Sequence, residues 1–551
     1  MKFKFITKIF FFLNFVLFLN IFSIPKLTII MVIDQFAYSY MEKLGPNFEY
    51  AFKDLKEHGV YFTNAHHAHG VPATATGHNA LNTGTLAKNH GIIANSWIEN
   101  GKKVNACKDD SPESSVFGPN NKILDYGYST KNIMCNGLTD EFVKKYPNDL
   151  TFSISYKSRA AIGMSGKTGK PIWFDDKLGI FTTSKAFFNQ LPNWVKDFNE
   201  KYNLDKTIEN NIWRRAYPKK SKKYNLPDID FNKNSYYIHS TYHKSLISKK
   251  RLDEPTDKIG KKNKPDIKNY SRFIKSPLAN KVLLDFAKNC IDNNLHEDNN
   301  MLLWISLSPL DHLGHIYGPN GMEVTDMIYH LDKQIKNFLD SLYQNIDEED
   351  ILFVLTADHG VQPLVELNKE KNLPAYRINS SEMLHKINKH INKKYNIKNL
   401  VTDFETSQLY FDMKKFNNLD TKTKESIYSD IKKIVLNKKG ISKVVTTDEL
   451  INNKYDFDSI LNFYKQPVYI GRSGQVFIIP NEYSDISNYK FGAGHKSGYE
   501  CNTHVPLTIY QKGNIENKVI TQKVWLTQLP VTIAKILDIN KPEKSEFEPI
   551  F

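Results

Sequence analysis

Three continuous apolar runs, residues 26–33, 301–307 and 351–355, constrain the fold of this chain more than any other feature. Hydrophobic residues at consecutive positions, rather than at every second one, mark strands covered on both faces. Such strands belong to parallel sheets flanked by helices. Each run ends on polar chemistry. Asp34 closes the first; S-P-L-D-H-L-G-H follows the second and carries Asp311 and His315; T-A-D-H-G closes the third with Asp358 and His359. Open α/β sheets place their ligands beyond the carboxyl ends of their strands. Asp311 and His315 are four residues apart, so on a helical turn both side chains share one face. A further histidine, His495, stands among glycines in G-A-G-H-K-S-G. Together Asp34, Asp311, His315, Asp358, His359 and His495 are six carboxylate and imidazole groups of the kind zinc takes as ligands.

The stretch P-A-T-A-T-G-H-N-A-L-N-T-G-T-L-A-K-N-H-G-I-I-A-N-S-W, residues 72–97, supplies what such a centre would activate. Thr74 stands at the mouth of a Gly- and Ala-rich turn that leads into a segment of helical period. A hydroxyl there is a candidate nucleophile once something removes its proton. Thr76 is the alternative. A short strand over residues 152–156 leads into Lys157-Ser158-Arg159, and in extended chain two cations at that spacing point to one side.

These motifs, in this order, resemble the alkaline phosphatase superfamily, specifically its type I phosphodiesterase/nucleotide pyrophosphatase branch and the secreted, phosphate-irrepressible alkaline phosphatases within it. The resemblance covers nearly the whole chain after its leader. It implies an α/β sandwich with a central, mostly parallel sheet flanked by helices and carrying inserted cap subdomains. It implies two zinc ions per chain, one held by Asp34, Asp358, His359 and the Thr74 oxygen, the other by Asp311, His315 and His495. Thr74 would be the nucleophile, favoured over Thr76 by its spacing to Asn95, and Asn95 would bind a phosphoryl oxygen. Lys157 and Arg159 match a K-x-R motif that the monoesterases carry and the diesterases lack. A monoester dianion bears one more negative charge than a diester, and two cations beside it offset that charge. The expected activity is hydrolysis of small phosphomonoesters through a phosphothreonine intermediate. T-A-T-G-H lacks the family's usual proline. The rivals are a phosphodiesterase or nucleotide pyrophosphatase and a surface binding protein that kept the fold; no C-x-P-x-R or S-x-P-x-R sequence supports a sulfatase.

Of 551 residues, 40% are hydrophobic, enough for one large α/β domain with insertions. Insertions are expected at about residues 98–275, where the stretch to 150 reads as irregular, and at about 366–490. The net charge of +14 accompanies no nucleic-acid motif and is read as compositional bias, although basic and aromatic residues interleave over 185–270. Residues 1–24 carry Lys2, Lys4 and Lys8 ahead of an apolar run, the pattern of a secretory signal. The run falls short of the ~20 apolar residues of a membrane span, so cleavage and export to the periplasm or beyond are expected, with a retained anchor left open. A monomer is expected. In an oxidising compartment Cys107 and Cys135, the nearest in sequence, are the expected disulfide pair. His66, His67 and His69 read as loop surface.

Overall fold

The computed structural model describes residues 24–551 except 212, 219, 226–269 and 271. The leader and the basic clusters at 249–251 and 261–262 lie outside the described residues. The strands of the two larger sheets in chain order are β1 (Leu27–Ile33), β2 (Val60–His66), β3 (Leu150–Ser155), β4 (Lys170–Asp175), β5 (Ile180–Thr182), β6 (Met301–Leu307) and β7 (Ile351–Thr356). Next come β8 (Val401–Glu405), β9 (Gln408–Phe411), β10 (Ile441–Thr446) and β11 (Val476–Pro480). The last three are β12 (His504–Tyr510), β13 (Lys518–Ile520) and β14 (Val524–Trp525).

Ten of these form one sheet in the order β13-β2-β12-β7-β1-β6-β3-β4-β5, with β14 also paired to β2. β7, β1, β6 and β3 are neighbours and all run parallel. Every residue of β1, β6 and β7 is buried, as the unbroken apolar runs require. Parallel neighbours in register end together, so four carboxyl-terminal ends lie side by side at the ~4.8 Å spacing of a sheet. β4 and β5 form the antiparallel hairpin expected over 171–184. The helices that concern the site are α1 (Thr74–Thr83), α2 (Ser158–Ser165), α3 (Pro277–Asn294), α4 (Pro309–Tyr317) and α5 (Met322–Leu342). α5 buries Val324, Met327, Ile328, Leu331, Ile335, Phe338 and Leu342 along one face, the stripe that its period predicts.

Residues 401–480 contain the second sheet, ordered β8-β9-β11-β10. Two helices, α6 (Ser380–Tyr395) and α7 (Thr421–Leu436), pack on it. Ile387, Ile391, Leu400, Ile427, Ile431, Val476 and Ile478 give this unit a core of its own.

Three local expectations are corrected. Residues 98–150 are not irregular: Ser96–Glu99 pairs with Lys102–Asn105, Ser115–Phe117 pairs with Ile123–Gly127, and Leu138–Lys145 is helical. The strands of these hairpins are only three to five residues long and mostly half-buried or exposed, so they carry no apolar run to betray them. Cys107 and Cys135 are not bridged, and all four cysteines are free; Cys107 Sγ instead lies 3.6 Å from Ser158 Oγ. His66, His67 and His69 are buried rather than on a loop surface, because β2 carries them into the main sheet and the turn beyond it.

Candidate active site and metal centre

The four parallel strand ends deliver the site. Asp34 follows β1 directly, and its N–H donates to Leu307 O at the end of β6. Asp311 lies in the first turn of α4, which begins two residues after β6. Asp358 and His359 lie in the turn after β7. On a strand these adjacent residues would face opposite ways, but in the turn their side chains converge, His359 Nε2 lying 3.3 Å from Asp358 Oδ2. His495 comes from the glycine loop before β12. All are at most 5% exposed, while the His315 side chain is 40% exposed.

The donor atoms form two groups. His359 Nε2 lies 3.5 Å from Asp34 Oδ1 and 3.3 Å from Asp358 Oδ2. His315 Nε2, His495 Nε2 and Asp311 Oδ1 are 3.2, 3.3 and 3.6 Å apart. An ion with tetrahedral bonds of ~2.0–2.1 Å spaces its ligands about 3.4 Å apart. Asp34 Oδ1, Asp358 Oδ2 and His359 Nε2 are buried and have no hydrogen-bond partner, so they approach one another without the alignment of a hydrogen bond. Each histidine is oriented from behind: Nδ1 of His315, His359 and His495 meets the carbonyls of Ala493, Gly360 and Pro72 at 2.9, 3.0 and 2.9 Å. A carbonyl only accepts, so each Nδ1 carries the proton and each Nε2 presents a lone pair inward. Two such lone pairs facing each other at 3.3 Å repel unless a cation lies between them.

The electrostatics agree. Burial, with Asp358 and Asp311 adding repulsion, pushes Asp34 well above the usual carboxylate range despite Lys157. Burial works against ionised Asp311 and Asp358 too. Even so, His315 and Lys157 hold Asp311 well below its ordinary value, and His359 and His78 hold Asp358 below its own. Burial drives His495 down, and His359 and His315 add to the effect. Ionised Asp311 and Asp358 therefore stand beside His359 and His495, both driven towards the neutral imidazole, which are the forms in which such groups ligate metal, whereas Asp311 draws His315 upward.

Thr74 is the first residue of α1, and its side chain faces this centre. Lys157 Nζ lies 3.4 Å from Thr74 Oγ, 2.6 Å from Asp34 Oδ2 and 2.5 Å from Asp311 Oδ2. Asn95 Oδ1 accepts from the Ala75 N–H at 2.8 Å, which ties Asn95 to the start of α1. Thr76 Oγ, two residues further along the first turn of the helix, is buried without a partner and takes no part in these contacts. Lys157 and Arg159 do not project from an extended strand as expected. β3 ends at Ser155, Lys157 caps α2, and Arg159 sits in the helix's first turn. Arg159 is half-buried, its Nε buried with no hydrogen-bond partner, and its charge acts on both Lys157 and the Cys107 thiol.

Three participants escaped the sequence reading. Gln35 spans both donor groups: its N–H donates to Asp358 Oδ1 at 3.1 Å and its Nε2 to Asp311 Oδ1 at 2.6 Å. To do so it takes φ 69°, rare for a residue with a side chain and a mark of functional strain. Its Oε1 lies 1.6 Å from where a Cβ on Gly314 would stand, which explains the glycine in D-x-x-G-H. His78 meets Thr74 O at 2.8 Å and Ser306 Oγ at 2.9 Å and lies 3.3 Å from Asp358. His67 Nε2 donates to Ala357 O at 2.9 Å, bracing the turn that carries Asp358. The only sequence signals were that Gln35 adjoins Asp34, that His78 follows Thr74 by four residues and that His67 belongs to the H-H-x-H run. Gly77 is a second enforced glycine, since a Cβ there would stand 2.2 Å from Asp358 O.

Fold and site together define a class of protein. The family model for type I phosphodiesterase / nucleotide pyrophosphatase matches residues 28–504, and the chain belongs to that family. Within it, the chain is 27% identical over 542 residues to alkaline phosphatase PafA of Elizabethkingia meningoseptica, covering 96% of this chain and 94% of that one. It is 28% identical over 537 residues to alkaline phosphatase PhoV of Synechococcus elongatus, covering 95% and 91%. The crystal structure of wild-type alkaline phosphatase PafA superposes with a TM-score of 0.81 at 24% identity, covering 96% of this chain and 98% of that one. That last likeness is one of fold.

Proposed function

We propose that the protein is an alkaline phosphatase, a zinc-dependent phosphate monoesterase that yields an alcohol and inorganic phosphate through a phosphothreonine intermediate. The observation that carries this reading is the pair of donor groups at tetrahedral spacing, three of whose atoms are buried without partners, beside a threonine at a helix start. The donors fit two zinc ions. Asp34, Asp358, His359 and the Thr74 oxygen would hold one, and Asp311, His315 and His495 the other. Bound zinc supplies Lewis acidity, lowering the pKa of the threonine hydroxyl and of water and offsetting charge on the leaving oxygen.

The protein's own groups do the rest. Thr74 Oγ attacks phosphorus as the bond to the leaving oxygen breaks, and the phosphoryl group becomes esterified to Thr74. Water then attacks phosphorus, the bond to Oγ breaks, and inorganic phosphate leaves with the threonine hydroxyl restored. The start of α1 favours the anion that assembles there. Asn95, Lys157 and Arg159 hold the non-bridging oxygens, since phosphoryl transfer rests on positioning and electrostatics. The two cations favour the dianionic monoester over a diester. Further support comes from a solved variant of the PafA phosphatase, substituted at a threonine, an asparagine, a lysine and an arginine separated by 21, 62 and 2 residues. The same intervals separate Thr74, Asn95, Lys157 and Arg159.

The test is metal analysis of the purified protein together with rates on a monoester and a diester of one alcohol. Two zinc ions per chain and a strong monoester preference are expected. An active preparation with one metal per chain, or a preference for the diester, overturns the assignment. Export by way of residues 1–24 belongs to the same proposal, and N-terminal sequencing of the mature protein tests it.

A further inference from the structure

A cleft of about 520 Å³ opens directly onto the site. Its inner end is formed by Ala73, Asn95, His315 and His495, the groups around Thr74. Its outer wall belongs to a loop that follows the second sheet, with Tyr489, Lys490 and Phe491 on one stretch and Lys496 just past His495. A phosphoryl group needs little of this room; a volume of this size accommodates a whole small organic molecule. The outer wall is also unusual in chemistry. Tyr489 is 52% exposed, one of few large apolar side chains left open to solvent among the described residues. Lys490 and Lys496 are exposed beside it. The acid in the lining, Asp485, is buried and engaged by Arg377 at 3.3 Å, so the wall presents net positive charge.

We infer that this cleft is a leaving-group subsite selecting phosphomonoesters of planar aromatic alcohols, above all those with a further anionic group on the ring. The inference rests on the phosphomonoesterase reading and extends it from the transferred group to the departing alcohol. With phosphorus at Thr74 and the ester oxygen directed past His315, the alcohol has the cleft as its room. The Tyr489 and Phe491 rings offer faces for stacking, and Lys490 and Lys496 attract an anion at the rim. Aliphatic alcohols of one or two carbons are too short to touch either.

The experiment compares kcat/KM for methyl phosphate, phenyl phosphate and 4-carboxyphenyl phosphate in the zinc-loaded wild type and two double variants, Tyr489→Ala/Phe491→Ala and Lys490→Ala/Lys496→Ala. An aromatic contact is worth roughly a three- to tenfold change in rate. The aromatic variant is therefore expected to lose about that factor on both aryl substrates and less than twofold on methyl phosphate. The lysine variant loses the advantage of the carboxylated ring over the plain one, and in the wild type that advantage fades with added salt. Inhibition by inorganic phosphate, which has no leaving group, stays the same throughout. Equal losses on all three substrates, or none, overturn the subsite while the phosphatase reading stands. A wild type that hydrolyses none of the three overturns both.

Discussion

The main sheet and the inserted four-stranded unit solve opposite problems. β1, β6 and β7 are buried along their whole length and hold carboxylates and imidazoles at fixed separations. The inserted unit has its own core, packs Tyr410, Phe477 and Ile479 with Ala75, Ile93 and Ala94 of the segment between Thr74 and Asn95, and lines the cleft wall, where Thr406 at the β8–β9 turn joins the loop carrying Tyr489, Lys490 and Phe491. Preorganised charge needs rigid supports, whereas contact with variable leaving groups tolerates mobile ones. Labour is divided accordingly: substitutions at the strand ends should remove chemistry, and substitutions in the insert should redistribute it or leave it alone.

The largest test is at Thr74. Thr74→Ala should lower kcat at least about 10³-fold by removing the nucleophile, with no phosphorylated protein on acid quench. Thr74→Ser should keep part of the activity. If the alanine variant is phosphorylated on Thr76 at the normal rate, the nucleophile is two residues further on. His359→Ala comes next. It should lower zinc content by one ion per chain and activity by several orders of magnitude, and unchanged zinc content would break the division into two donor groups. Lys157→Ala/Arg159→Ala should cost each cation's charge-assisted hydrogen bond, about 1.5–3 kcal/mol. The loss should fall on the monoester, so that the monoester-to-diester ratio of kcat/KM collapses; a constant ratio would make the pair structural.

Gln35 serves support rather than chemistry. Gln35→Leu keeps the bulk but removes the Nε2 bond to Asp311, while the backbone bond to Asp358 remains. Loss of a partner behind a metal ligand costs roughly 10–100-fold in affinity. Chelator competition should show one zinc weakened and the other nearly untouched. Equal weakening of both would mean a general disturbance of the fold.

What was legible in the sequence follows the same division. Strands buried on both faces must be apolar throughout, so β1, β6 and β7 and the acids and histidines at their ends could be read directly. β8 is half-exposed and reads T-D-F-E after its first valine, so nothing in its pattern distinguishes it from a loop. Gln35 and His78 were hidden for another reason. A buried polar residue looks like a surface one until its partner is known, and Asp311 lies 276 positions from Gln35. Lys157 and Arg159 were expected on the wrong geometry, because the strand stops two residues before the lysine. The Cys107–Cys135 pairing failed because nearness along the chain says nothing about how the intervening hairpin turns.

The smallest expected effect lies wholly in the insert, at Asp430 on α7. Its carboxylate accepts from Lys394 Nζ at 2.8 Å and from the Tyr395 hydroxyl at 2.8 Å, and it meets His390 Nε2 at 3.0 Å. All three partners lie on α6, so Asp430 ties the two helices of the unit together. Burial opposes the charge, but the hydrogen bonds from Lys394, His390 and Tyr395 outweigh it and bring the carboxyl down to about 2. A folded value below the unfolded one, about 3.9, means the contribution is fully present above pH ~4. It is then lost as pH falls through about 2. The pair is screened by solvent, so the contribution is about 0.2–1 kcal/mol. Asp430→Asn should therefore speed hydrogen exchange in α6 and α7 two- to fivefold at pH 7, with the difference from wild type closing toward pH 2. kcat/KM on every phosphomonoester should stay unchanged. If Asp430→Asn instead slows catalysis, the insert's core is coupled to the strand-end site, and the division between a rigid chemical half and an independent wall fails.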